Sequence, residues 1–255
     1  MIVRGKLTAK ELALTICFTA LYVVFGFLNI SPIIGLPGKA ITAAAIVAPI
    51  MGVTLGPYIG GLSAFLGGVI GFFVGFFSPP SLVSGVAAAS CAGLTYTGKR
   101  AFSVLLYLSL LAVFAFYPTV GPAWLYPPSL WFQLAVLVVL ASPLQSRAVK
   151  DVSSDSNSKL LYALFVTSLT STMAGQIAGS LAYEATSWPI LIPKTSVWLG
   201  TWQGVMFLYP VERIIIAVAA TLIAAPLVRV LRTTSFMPAS ASRDAKSESR
   251  PSVSS

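Results

Sequence analysis

Long apolar runs follow one another from Leu12 to Leu231, separated by short polar or Pro/Gly-rich joints. A helix needs about 20 such residues to cross the hydrocarbon core of a bilayer. Lipid-spanning strand barrels instead require strict apolar/polar alternation, which the runs lack. Only 9% of the 255 residues are charged, whereas a soluble domain carries about 25%. The polar surface needed to coat a water-soluble globule is missing. The expected fold is therefore an all-α, polytopic transmembrane helical bundle.

Eight segments are expected: Ala9–Leu28, Ala40–Leu55, Pro57–Phe77, Leu82–Thr97, Ala101–Tyr117, Ser129–Gln145, Leu160–Glu184 and Pro210–Leu231. Thr8 and Glu11 form a Thr-x-x-Glu capping box at the first of them. Its length and flanks fit a retained helix rather than a cleaved leader. Gly56-Pro57 is a breaker, because proline lacks an amide hydrogen and disfavours helix in the residue before it. A tight hairpin is expected there, and Ser78-Pro79-Pro80 closes the segment that follows.

Lys and Arg concentrate in cytoplasmic loops, which tests the count independently. With eight spans and the N-terminus inside, thirteen basic residues fall on the inner side: Arg4, Lys6, Lys10, Lys99, Arg100, Arg147, Lys150, Lys159, Arg229, Arg232, Arg243, Lys246 and Arg250. Three fall outside: Lys39, Lys194 and Arg213. Both termini are thus expected in the cytoplasm of a multi-pass cell-membrane protein. Residues 1–232 would form the membrane domain, and residues 233–255, polar and Ser-rich, a disordered tail. The positive charge is scattered over several loops and forms no nucleic-acid patch.

The chain has no histidine and two cysteines, Cys17 and Cys91, each inside an apolar run. That removes His-based catalysis and His-ligated metals, and suggests neither a disulfide framework nor a Cys-x-x-Cys site. No nucleophile, base and orienting group can be assembled, so no enzyme, cofactor or metal is expected. Gly93-Leu94-Thr95-Tyr96-Thr97-Gly98-Lys99-Arg100 imitates a phosphate loop but ends in Arg where Ser or Thr is needed, and it lacks the preceding strand. It is a helix stop with interfacial cations.

Small residues form ridges: Gly60, Ala64, Gly67, Gly68, Gly71 and Gly75; then Gly85, Ala89 and Gly93; then Ser171, Gly175 and Gly179. Such ridges let backbones approach closely where lipid supplies no hydrophobic drive, so internal packing is expected of them. Ala13, Cys17 and Ala20 make a thinner ridge that suits a partner or internal packing equally.

Polar groups at the outer boundary form the candidate site. Trp124 and Trp131 fit an aromatic belt. Trp188, Trp198 and Trp202 share the stretch Ala185–Tyr209 with Lys194 and Gln203, which is long enough to act as a lid. Gln176, Ser180 and Tyr183 would line a helix face below it. Pro210 suits a first helical position, which leaves Glu212 open as a first-turn cap or a ligand contact. Glu184 is expected at an interfacial helix end.

Several motifs carry a family likeness. These are Leu12-Ala13-Leu14-Thr15 after a basic N-terminus, Leu55-Gly56-Pro57-Tyr58-Ile59-Gly60-Gly61, and Phe65-Leu66-Gly67-Gly68-Val69-Ile70-Gly71. The last is Pro210-Val211-Glu212-Arg213-Ile214-Ile215-Ile216-Ala217 through Ala225-Pro226-Leu227. Over roughly residues 8–98 and 160–231 the chain resembles the substrate-binding (S) components of energy-coupling factor (ECF) ABC importers for vitamins and related micronutrients. Such proteins usually have six helices, so Ala101–Gln145 would be an added hairpin. The family's metal-ion members depend on an N-terminal histidine that is absent here.

The resemblance implies a high-affinity binder without an ATPase of its own, working with an ECF coupling transmembrane protein and two ATPase subunits. Ala13, Cys17 and Ala20 would sit at that contact. The substrate site would comprise Gln176, Tyr183, Trp188, Lys194, Trp198, Trp202, Gln203 and Glu212, suited to a planar heterocycle by stacking and hydrogen bonds. Riboflavin, thiamine, biotin and a modified-base precursor all stay open, as does a cation over tryptophan faces. A stand-alone carrier or channel for a small solute is the competing expectation, and a purely structural subunit a further one.

Overall fold

The computed structural model describes residues 9–34, 38–151 and 156–233, with the side chains of Lys10, Arg232 and Thr233 excepted. Thr8 of the expected capping box and the tail from residue 234 onward lie outside the described residues. Helix α1 is Ala9–Phe25, and a short antiparallel pair follows, β1 (Asn29–Pro32) and β2 (Ala40–Thr42). Then come α2 (Ala44–Val74), α3 (Pro79–Tyr96), α4 (Arg100–Ala115), the single turn α5 (Pro122–Leu125), α6 (Trp131–Ala141), α7 (Pro143–Asp151), α8 (Asn157–Ser187) and α9 (Thr195–Thr233). Among the described residues the regular structure is helical apart from the small ladder, which the sequence reading did not anticipate.

Proline and glycine place the breaks. In α2, Gly56 leaves helical geometry at φ 79° and ψ 178°, and the two arms fold back on each other. A Cβ at Gly60 would lie 2.8 Å from the Met51 carbonyl oxygen, a contact that only a hairpin allows. Ser78 caps α3, its hydroxyl accepting from the Ser81 amide, with Pro79 in the first turn. Pro143 divides the expected Ser129–Gln145 segment into α6 and α7, bent by 60°.

Three helices are long and apolar enough to cross a membrane: Ala44–Val74, Asn157–Ser187 and Thr195–Leu231. The bent pair Pro127–Ala141 with Pro143–Asp151 would make a fourth, while Glu11–Phe25 and Arg100–Ala115 are apolar but shorter. Helix length alone therefore does not reach the expected eight spans.

Two main cores run along α8 and α9. One joins α1, α2 and α3 to Leu160, Leu164, Ala220, Ala224 and Val228. The other joins α4 and α6 to Met173, Ile177, Tyr183, Trp198, Trp202 and Val205. The expected small-residue ridges pack internally except at Gly75, which is exposed at the end of α2 with open space around it. A Cβ at Gly52 would meet the Ala89 carbonyl oxygen at 2.1 Å, one at Gly93 would meet Pro57 N at 2.3 Å, and one at Gly175 would meet the Ser84 carbonyl oxygen at 2.7 Å. Ala13, Cys17 and Ala20 instead lie exposed on α1.

The two ends of the bundle differ in charge. Tyr96, Ala148 and Ala163 pack together, gathering the end of α3, α7 and the start of α8. Lys99, Arg100, Arg147, Lys150 and Lys159 belong to that end, and Arg100 ties it by donating to Ser146 and to the carbonyls of Leu140 and Ala141.

Candidate functional site

Helix α8 carries a polar stripe at helical spacing: Thr172, Gln176, Gly179, Ser180 and Tyr183. These residues line a cavity of about 90 Å³, concave and with a few polar groups among apolar ones, as small-molecule sites are. Facing them are Ser81, Ser84, Gly85 and Ala88 of α3, and Ala44, Ala45 and Ala48 of α2. Tyr22, Phe77, Ile33, Ile41 and Thr42 add to the wall, and α9 contributes Thr201, Trp202, Tyr209 and Arg213. Every contributor comes from the end opposite the basic one. None comes from residues 100–151.

Close approach of α3 and α8 depends on Gly175 and Gly179, where a Cβ would press on Ser84 and on the Pro80 carbonyl oxygen. At Gly85 a Cβ would collide with the Tyr22 ring and hydroxyl, so the missing side chain is what admits that tyrosine to the wall.

The expected lid over Ala185–Tyr209 is corrected. Helix α8 runs on to Ser187, and α9 begins at Thr195, so Trp198, Trp202 and Gln203 are helical. Trp198, Trp202, Val205 and Tyr209 recur at helical spacing and face inward, a pattern that outweighed the proline as a start signal. Pro210 consequently lies inside α9 rather than at its first position. A proline there frees the carbonyl four residues back, and the Trp131 indole donates to that Met206 oxygen at 3.1 Å. Neighbouring side chains commonly re-satisfy such groups in membrane helices.

The expected residues separate into three sets. Gln176, Tyr183 and Trp202 line the cavity. Trp198 stands behind it, fully buried, with ring centroids 5.0 Å from Tyr183 and 5.8 Å from Trp202. Both buried indoles are already committed, Trp198 to the Ile192 carbonyl at 3.0 Å and Trp202 to the Val120 carbonyl at 2.8 Å. They shape the wall and have no indole N–H left for a ligand. Trp188, Lys194 and Gln203 are not on the wall, and the last two are exposed.

Glu212 is not a first-turn cap. It is 5% exposed in mid-helix, accepts from the Ser31 hydroxyl through Oε1, and faces Arg213 Nη2 through Oε2 at 3.7 Å. Arg213, 4% exposed, reaches the wall, and its Nε has no hydrogen-bond partner among the described residues. Gln176 Oε1 and the Tyr183 hydroxyl are buried and unpartnered in the same way. Sequence reasoning named Arg213 only as a boundary charge and missed Tyr209, Ser84 and Thr172. Two adjacent charges inside an apolar run were the available signal, since ionisable groups at membrane depth are costly and face interiors.

Glu184 lies in the last turn of α8, at a helix end as expected. It is 0% exposed, and neither carboxylate oxygen has a hydrogen-bond partner among the described residues. It does not line the cavity. The described residues contain no cluster of three or more His, Cys, Asp or Glu side chains placed to hold a metal ion.

The β1–β2 hairpin is pinned to two helices beside the cavity. Ser31 reaches Glu212 of α9, and Lys39 Nζ donates to the Gly75 carbonyl at 2.7 Å, at the end of α2. Compared with known proteins, the chain matches no family model, no curated protein and no solved structure.

Proposed function

We propose that this chain is the membrane-embedded substrate-binding subunit of an ECF-type importer for a vitamin-like small heterocycle. In this reading eight segments span the cell membrane, with both termini cytoplasmic and the cavity toward the outside. The observation that carries it is the cavity itself. Its wall draws on α1, β2, the first arm of α2, α3, α8 and α9, and on nothing from residues 100–151. Counting the arms of α2 separately, those helices supply the six segments that the resemblance requires, with α4 to α7 as the addition.

The mixture of hydroxyls, one amide and aromatic rings suits a small polar heterocycle held by a few hydrogen bonds. The exposed face of Ala13, Cys17 and Ala20 suits close docking by a coupling protein's helix, because small residues allow backbone approach. Energy would come from two separate ATPase subunits.

Affinity purification from native membranes in mild detergent tests the assembly. Recovery of two ATPase subunits and a multi-helix coupling protein is the expected result. Recovery of this chain alone, repeated after crosslinking, would replace the reading with a stand-alone carrier. Within the assembly, Ala13→Trp is expected to abolish transport while substrate binding stays intact, and equal loss of both would remove α1 as the docking face.

A further inference from the structure

Arg213 is the only charged side chain on the cavity wall among the described residues. A guanidinium pairs best with an oxyanion side-on, through two parallel N–H bonds. Glu212 does not provide that pairing. Its nearer contact to Nη2 is 3.7 Å, beyond hydrogen-bond length, and its other oxygen is taken by Ser31. Nε, buried and unpartnered, is left on the guanidinium. Arg213 is thus neutralised at a distance by Glu212 yet keeps donor capacity at the wall.

The rest of the wall narrows the ligand. Gln176 Oε1 and the Tyr183 hydroxyl are the other buried groups there without partners, and both belong to α8. Tyr22, Phe77, Trp202 and Tyr209 supply ring surface. Among the described residues no carboxylate lines the cavity, so a cationic ligand would meet a guanidinium with no counter-charge on the wall.

We propose that the cavity binds a small organic acid, its carboxylate seated on Arg213 and a polar group of its body hydrogen-bonded to Gln176 and Tyr183. This rests on the cavity being the substrate site and specifies the class of substrate. Glu212 acts as a positioning residue. It balances the guanidinium when the site is empty, from 3.7 Å at Nη2, and leaves Nε free to donate.

The test uses the full chain in nanodiscs, incubated with yeast extract, washed and denatured, with the released small molecules identified by mass spectrometry against empty nanodiscs. The expected result is a retained carboxylic acid. Arg213→Gln should lower its retention about 10- to 100-fold, as loss of a charge-assisted hydrogen bond does. The double variant Glu212→Gln/Arg213→Gln leaves no unpaired buried charge and should show the same loss, which guards against misfolding of the single variant. A retained compound that is neutral or cationic, or an acid held equally by the double variant, would overturn the inference while leaving the binding-subunit reading standing. No compound enriched over empty nanodiscs would overturn both.

Discussion

Where α1, α2 and α3 meet, the helices touch through backbone. Gly52 lies against Ala89, Gly93 against the Gly56-Pro57 turn, and Ala48, Ala64, Ala89 and Ala92 sit there with no exposure, with the buried rings of Phe18, Tyr22 and Phe77 around them. Where α4 and α6 meet α8 and α9, the filling is large rings instead. Phe114 and Trp202 lie 5.5 Å apart edge to face, Trp198 stacks between Tyr183 and Trp202, and Tyr107 is fully buried with its hydroxyl on the Gln133 carbonyl at 2.8 Å. The helix contacts of the first region exclude volume and those of the second depend on it. The cavity lies at their junction, taking Tyr22, Ala44, Ala48, Phe77 and Ala88 from one core and Tyr183 and Trp202 from the other.

The contrast breaks most visibly at Trp198. Its truncation to Ala removes a fully buried ring behind two wall residues, and a loss of about 3–5 kcal/mol in unfolding free energy is expected. Thermal unfolding of purified protein in detergent measures it, and a change within error would mean that the aromatic region is not close-packed. Gly52→Ala is the converse. One added methyl group would press on the Ala89 carbonyl oxygen, and overpacking of this kind costs about 1–3 kcal/mol. Wild-type stability for that variant would dissolve the distinction between the regions.

Glu184→Leu should raise the unfolding temperature, by about 1 kcal/mol or more of free energy, because it removes buried oxygens without partners. A fall would point to a partner for that carboxylate in the membrane. The smallest effect is expected from Trp131→Phe. It withdraws the donor from the Met206 carbonyl freed by Pro210, a loss of about 0.5–1.5 kcal/mol. Equal stability of that variant would show that α9 passes Pro210 without the indole.

Much of the architecture was legible because its causes are local. Gly56-Pro57 breaks a helix through local backbone sterics, Ser78-Pro79 starts one, and the glycine ridges were read as internal contacts, which holds for all but Gly75. The site was legible only in part. Gln176, Ser180 and Tyr183 could be placed on one face because they share one helix and its period. The lid was misplaced because Pro210 is an ambiguous sign: it begins a helix or interrupts one, and the choice depends on whether a distant group serves the freed carbonyl. Trp131, 79 positions earlier in the chain, serves it here.

The sequence by itself determined a helical chain with helices long and apolar enough to cross a membrane, with its main turns and its close-packing faces. Composition and short-range geometry suffice for those, since bilayer hydration and backbone sterics act residue by residue. Tertiary structure alone decided that α9 continues through Pro210 and that Glu212 turns inward to Ser31 and Arg213. It also decided that a guanidinium and an amide from different helices share one cavity. Those outcomes depend on which buried polar group finds which partner across the bundle, and such pairing has no signature at any fixed spacing along the chain.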